Sequence, residues 1–254
     1  MGHYSLDQLH IHYYDFAYEP KGPFRMANGN IGDATAKIFA ELLSGPLVDI
    51  YVGEVRRHWS LHRNLLCHHS PYFQDHLGEE NKKKGGKLEL LQDDPSAFEL
   101  LVKWLYQGKI DDVSDMPVDK KWDYADACQK LYVLCDKINL PQLKNFAIDQ
   151  FRKGCHEAGL VPGPEEMKPI YDSTRPSSPF RKLVSKIAAR QIMDPDSQVS
   201  AGTYRMCFEG NPDFAIDVIT AIREGAGGKL FEDPTEQVGC AYHEHDNGQA
   251  CDGR

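Results

Sequence analysis

The stretch VDIYVGEVRRHWSLHRNLLCHHSPYFQDHL, residues 48–77, decides how the whole chain is interpreted. Apolar residues alternate with polar ones from Val48 to Val52, which is typical of a strand with one buried face. A Gly-Glu pair then provides a tight turn into a second, pairing strand over residues 55–61. Beyond that strand the spacing becomes helical until Pro71 breaks it. The stretch therefore predicts two paired strands followed by an interrupted helix.

The same stretch is rich in residue types that form metal sites and catalytic centres. Residues 60–73 contain three His, one Cys, one Arg and two Ser. Cys67, His68 and His69 are consecutive on the predicted helix, so their side chains spread over about 200° and cannot all reach one ion. A Cys-His nucleophile also needs a nearby His and a third orienting group, and neither is identifiable here. A zinc-dependent or Cys/His hydrolase is therefore a remote alternative.

Regular elements are predicted on both sides of this stretch. Residues 33–44 have helical spacing, with Asp33 as the cap, and LELL at 88–91 is a short apolar strand. Residues 95–107 form the clearest helix, because Pro suits the first turn and Gly108 ends it. The residues predicted to be buried in the core are Val48, Ile50, Leu66, Phe98, Leu101 and Leu105.

Composition limits the classes of partner. The net charge is −9, so the chain repels phosphate backbones and nucleic acid is not expected as a partner. The seven cysteines are scattered and odd in number, which favours free thiols in a reducing compartment. We find no secretory signal and no apolar stretch approaching 18 residues, so no membrane association is expected. An intracellular location, in the cytoplasm or nucleus, is the resulting expectation.

Taken in order, these features resemble a BTB/POZ domain. The residues that carry the resemblance are Asp49, the pair His62-Arg63, Leu66, Ser70, Pro71, Tyr72, Phe73 and the run WLYQG that ends at Gly108. In that run Gln107 stands where the family usually has Thr. The later segment YADACQKLYVLCDKINLPQLKNFA matches the family's final helices. The resemblance covers residues 31–153 and implies an α+β fold in which helices cover a small sheet.

The chain is accordingly divided into four predicted parts. They are a lead-in at 1–30, a BTB/POZ domain at 31–154, a short helical extension at 155–226, and an acidic tail containing Cys and His at 227–254. Residues 155–180 contain five prolines and are expected to link rather than to pack, with a short helix as an alternative for EEMKPIYDST at 165–174. Capped helices are predicted after them, at 178–192 and 211–225.

The resemblance implies a protein–protein interaction module and not an enzyme. Many BTB domains dock onto the cullin scaffolds of ubiquitin ligases, so an adaptor for a cullin-type ubiquitin ligase is the first hypothesis. BTB domains also commonly self-associate. A self-associating nuclear or transcriptional regulator is therefore the alternative.

The resemblance also assigns partner-binding roles by position. Asp49 and Arg63 would line a charged pocket; the alternative is a plain structural ion pair or a solvated Arg63. Leu77-Gly78-Glu79 has the form of a hydrophobic residue, any residue and Glu that cullin-docking domains often present. The alternative for that tripeptide is that Leu77 closes a helix and Glu79 is solvated.

Other residues receive structural roles from the resemblance. His62 would lie at the junction of strand and helix, packed, with its ring nitrogens bonded to backbone groups. The full structural set is His62, Ser70, Tyr72, Phe73, Phe98, Leu101 and Leu105.

The segment CAYHEHDNGQAC, near the C-terminus, contains two thiols and two imidazoles within twelve residues. The four candidate ligands for zinc are Cys240, His243, His245 and Cys251. This is a chemically sufficient set, although the spacing is not one of the common finger spacings. The alternative is a solvated tail, and no other cofactor is expected. The segment resembles the Cys/His-rich ends of many filamentous-fungal BTB proteins.

Overall fold

A three-stranded sheet with helices on one face forms the first part of the molecule. A computed structural model describes residues 31–78, 87–227 and 229. The strands are β1 (Leu47–Val52), β2 (Arg57–His62) and β3 (Lys87–Leu90). The helices are α1 (Ala36–Leu43), α2 (Arg63–His69), α3 (Pro71–Leu77), α4 (Pro95–Gln107), α5 (Lys121–Lys137), α6 (Pro141–Ala158), α7 (Pro164–Ser173), α8 (Pro179–Met193), α9 (Arg205–Gly210) and α10 (Pro212–Gly225). This is the α+β arrangement that the sequence predicts.

The sheet has the order β2-β1-β3, with β2 antiparallel and β3 parallel to the central strand β1. Asp49 lies opposite Ser60 on β2 and opposite Lys87 on β3. Because side chains alternate along a strand, Asp49 faces solvent while Val48 and Ile50 are buried against the helices. The predicted pair of strands and its turn are confirmed.

Helix α4 begins and ends at the residues that its sequence signals predict. The Asp94 carboxylate accepts a hydrogen bond from the Ser96 backbone N–H at 2.8 Å, and Gly108 ends the helix with φ of 70°. A positive φ strains any residue with a side chain, so glycine is the residue suited to this end. All six residues predicted to form the core are buried, namely Val48, Ile50, Leu66, Phe98, Leu101 and Leu105.

Helices α5 and α6 pack tightly against each other beside α4. Gly154 makes the close approach possible, since a Cβ atom placed on it would lie 2.8 Å from the Ala125 Cβ. Helix α6 runs without a break to Ala158. The predicted boundary between residues 154 and 155 therefore falls inside a helix.

The segment 155–180 packs, and the expectation that it only links is wrong. Helix α7 forms within it despite an internal proline, and Met167, Ile170 and Tyr171 are buried. Phe180 lies in the first turn of the next helix, α8, and contacts Tyr132 of α5, with ring centroids 4.7 Å apart. The apolar spacing of 167, 170 and 171 is the local signal that outweighs the prolines.

A buried arginine joins three of the C-terminal helices. The Arg181 guanidinium on α8 donates to the Tyr171 and Thr174 carbonyl oxygens at the end of α7. It also pairs with the Asp213 carboxylate at the start of α10, at 3.2 Å. Such a planar donor satisfies several carbonyl groups at once, so the extension is held by polar bonds as well as by packing.

Two further details differ from the sequence expectations. Thr35, not Asp33, caps α1, since its hydroxyl accepts from the Ile38 N–H at 3.4 Å. The short helix α9 was not predicted. The predicted lead-in at 1–30 lies outside the described residues, as does the predicted tail except for residues 227 and 229.

Candidate interaction surfaces

His62 closes β2 and is the residue from which α2 starts. Its ring Nδ1 lies 2.8 Å from the Tyr106 hydroxyl, and its backbone N–H donates to the same oxygen at 3.3 Å. The expected backbone partners of the ring are thus replaced, at Nδ1, by a side-chain hydroxyl from α4. His62 is a structural residue that ties the strand to that helix.

Ser70 separates α2 from α3 and is fully buried. Its hydroxyl donates to the Ile138 carbonyl at 2.6 Å, at the end of α5, and accepts from the Phe73 N–H as the cap of α3. Phe73 is buried in the core, whereas Tyr72 is partly exposed and stacks on the His76 ring. The Ser-x-x-Phe pattern therefore connects distant parts of the domain.

Cys67, His68 and His69 do not form a reactive centre. Burial raises the pKa of the Cys67 thiol, which leaves less of the nucleophilic thiolate. Burial lowers the pKa of His69 to about 4, and its ring packs on Trp104 with centroids 4.9 Å apart. Among the described residues, no group of three or more His, Cys, Asp and Glu side chains could hold a metal ion.

Asp49 lies on the solvent face of the sheet with two partners that the sequence did not single out. Its Oδ1 accepts from the Ser60 hydroxyl at 2.6 Å and lies 2.9 Å from the His58 Nε2. These hydrogen bonds, that of Ser60 before that of His58, lower the pKa of Asp49. Arg63 lies at the start of α2, where its positive charge acts on the Cys67 thiol.

The Asp49, His58 and Ser60 cluster does not have the geometry of a hydrolase triad. In a triad the imidazole lies between the serine and the carboxylate and uses both of its nitrogens. Here the serine bonds directly to the carboxylate, and the same His58 nitrogen faces both groups, at 3.4 Å from Ser60. Ser60 therefore lacks the serine–imidazole–carboxylate order that activates the nucleophile of a triad.

Leu77 does not offer the exposed apolar anchor that was assigned to it. It is the last residue of α3, is only 7% exposed, and belongs to the hydrophobic core. Its side chain faces inward because α3 buries Phe73 and Leu77, which are four residues apart on one face. Glu79 lies outside the described residues, so its role stays a prediction.

The α1 face is an apolar surface that the sequence analysis missed. We define it as Ile38, Phe39 and Leu43, which lie beside Leu42 on one side of α1. Leu42 alone is buried in this helix; Ile38 is 45% exposed, and the other two are partly exposed. The helical spacing was visible, but spacing alone does not say whether the apolar side meets the core or a partner.

The four candidate zinc ligands near the C-terminus all lie outside the described residues. Zinc binding by Cys240, His243, His245 and Cys251 therefore stays a prediction. In the parts of the chain that are described, no helix is long and apolar enough to cross a bilayer.

The described residues thus present a small sheet, a helical core and a partly exposed apolar helix face, which are the features of an interaction domain. Residues 32–145 match the family model of the BTB/POZ domain, so this chain contains a BTB/POZ domain. BTB/POZ is a protein-interaction family and is generally not enzymatic. No curated protein matches the chain.

Proposed function

We propose that the BTB/POZ domain of this chain self-associates through the α1 face, as the self-associating regulator anticipated from the sequence would. The observation that supports the proposal is the exposure of Ile38, at 45%, next to Phe39 and Leu43, which pack on the core beside the buried Leu42 but keep part of their surface open. An apolar helix side in water costs free energy, and a partner's apolar surface removes that cost.

A second copy is a suitable occupant of this surface. In a two-fold dimer the same patch on each subunit covers the other, so one exposed helix side supplies both halves of the interface. Leu47 lies a few residues beyond α1 and is 55% exposed, which adds apolar area near the end of the helix. Helix α1 has only eight residues, a length that is marginal without tertiary support.

The polar cluster around Asp49 is proposed to contribute specificity and not the main binding energy. Asp49 and His58 are each about half exposed and bond to each other across the sheet face. Exposed charges of this kind influence orientation and association rate more than affinity. We assign the same role in specificity to the charged pocket proposed for Asp49 and Arg63.

The decisive variant is Ile38→Asp, measured by size-exclusion chromatography with light scattering. A charge in the centre of the α1 face should convert the wild-type dimer into a monomer, because it would be buried without a partner. Phe146→Asp on α6 is the matched control, since Phe146 is also apolar and 49% exposed. Its dimer should persist. A wild-type protein that is monomeric at tens of micromolar would refute the proposal.

The adaptor role on a cullin-type ubiquitin ligase is the alternative. Burial of Leu77 removes the anchor on which that role was based, so cullin docking would have to use another surface. Co-purification separates the two functions. A cullin that co-purifies with the wild type and equally with Ile38→Asp would favour the adaptor role.

A further inference from the structure

The outer edge of β2 is uncovered by any strand in the described parts of the chain. The sheet order is β2-β1-β3, so β2 pairs only with β1. Two hydrogen bonds establish which backbone groups face which way. The Arg63 N–H donates toward the β1 side, to the Pro46 carbonyl at 3.0 Å, whereas the His62 N–H donates outward to the Tyr106 hydroxyl.

Backbone groups alternate in direction along an antiparallel strand. The odd-numbered residues of β2 therefore bond to β1, and the even-numbered ones face outward. His58 and Ser60 then direct both an N–H and a C=O away from the sheet. Within the described residues, none of these four groups has a hydrogen-bond partner.

Helix α4 runs alongside this edge and supplies an apolar wall. Glu99 pairs with Arg57 at one end of the strand, and Tyr106 bonds His62 at the other. Val102 lies between them on the same side of the helix, at spacings of three and four residues. Trp59, Val102 and Tyr106 are all only partly buried, so apolar surface remains beside the open backbone groups.

The charged side chains along the edge already have polar partners. Arg57 is paired with Glu99, and His58 lies 2.9 Å from the Asp49 carboxylate. A ligand here needs no charge of its own. The recognition elements that remain are unpaired backbone groups and an apolar wall. An extended peptide is complementary to both, because its backbone pairs with the first and its apolar side chains cover the second.

We propose that β2 takes an extended segment of a partner protein as a fourth strand of the sheet. Main-chain hydrogen bonds to His58 and Ser60 would hold the segment, and apolar residues at alternate positions would lie over Trp59 and Val102. The next outward N–H, that of His62, already donates to the Tyr106 hydroxyl, so the new ladder of hydrogen bonds is short. This edge is separate from the α1 face, and the proposal does not rest on self-association.

The test selects peptides from a displayed library of random dodecapeptides on the full chain and compares two variants at one position. Because the Ser60 N–H points outward, Ser60→Pro removes a donor for the added strand and keeps the β1 ladder. Binding of selected peptides should fall by about tenfold or more, which corresponds to the loss of a backbone hydrogen bond. Ser60→Ala loses the bond to Asp49 but keeps the N–H, so it should bind like the wild type.

A second measurement covers the outcome in which Ser60→Pro does not fold. N-methylation at every other residue of a selected peptide should abolish binding in one frame and leave it unchanged in the other. The proposal is overturned if no peptide is selected, or if binding is insensitive to both changes. It is also overturned if a wild-type dimer is lost in Ser60→Pro and retained in Ile38→Asp, because the occupant would then be a second copy.

Discussion

At the scale of single residues, His69 couples the stability of the domain to pH. Its ring is packed on Trp104, and burial lowers its pKa from the ordinary 6.5 to about 4. Below pH 6.5 the unfolded chain binds a proton that the folded chain does not. The contribution of His69 to the free energy of unfolding is therefore fully present above pH 6.5, and it is lost as the pH falls from 6.5 to 4. Burial also lowers the pKa of the neighbouring His68, which acts in the same direction.

The acid loss attributable to His69 should approach about 3 kcal/mol at pH 4, and urea unfolding at several pH values measures it. His69→Leu removes the titrating group, so its stability should change less steeply over this range. His76→Leu, at the exposed end of α3, is the control and should keep the wild-type slope. Equal slopes in the wild type and His69→Leu would contradict the prediction.

Some residue roles could be assigned from sequence and others could not. Phe98, Leu101 and Leu105 follow from helical spacing, because the spacing of apolar residues directly defines one side of a helix. The bond from His62 to Tyr106 joins residues 44 positions apart. No local pattern encodes such a partner. Leu77 was misassigned for the same reason, since only the packed structure shows which side of α3 meets the core.

At the scale of elements, the contact between α5 and α6 depends on Gly154. A Cβ added there would lie 2.8 Å from the Ala125 Cβ and 3.3 Å from a Val113 methyl group. Gly154→Ala should destabilise the protein, because overpacking costs about 1–3 kcal/mol and exceeds the gain in helix propensity. Thermal or urea unfolding measures the difference.

Gly225→Ala is the matched control for this substitution. Gly225 ends α10, and a Cβ there meets nothing within 4 Å. The change should be neutral or stabilising by up to about 1 kcal/mol. If Gly154→Ala is as stable as Gly225→Ala, the two helices have room to separate, and the close contact is not a constraint.

The elements differ in how much local sequence determines them. Helix α4 has a cap, a first-turn proline and a terminal glycine within its own residues, so its bounds were predicted. Helix α7 contains an internal proline, and its formation depends on burying Met167 and Ile170 against other helices. The apolar side of α1 was also visible, but which part of it is covered depends on the whole fold.

At the scale of the whole molecule, the C-terminal helices and the BTB/POZ domain share one core. Phe180 contacts Phe151 of α6 at 4.9 Å, besides Tyr132, and the Tyr132 hydroxyl lies 3.0 Å from that of Ser178. A chain ending at Ala158 would lack Phe180 and would expose the rings of Tyr132 and Phe151. We expect it to be less stable by roughly 3 kcal/mol or more than a chain ending at Gly227.

Urea unfolding of the two truncated chains tests this prediction, with the full chain as the reference. The chain ending at Gly227 keeps α7–α10, so it should unfold at the higher urea midpoint of the two. Equal midpoints for the two truncated chains would show instead that α7–α10 fold independently of the domain.

The weak attachment of α1 has a consequence for the timing of its motions. Leu42 is the one fully buried side chain of this eight-residue helix, and Phe39 and Leu43 pack on the core only in part. Such a segment opens locally at a much lower free energy than the core, so its amide hydrogens exchange early. A partner that covers α1 must also suppress this opening, and protection of the α1 amides would then rise with protein concentration. The exchange rate of the α1 amides would therefore measure the fraction of molecules in which a partner covers the helix.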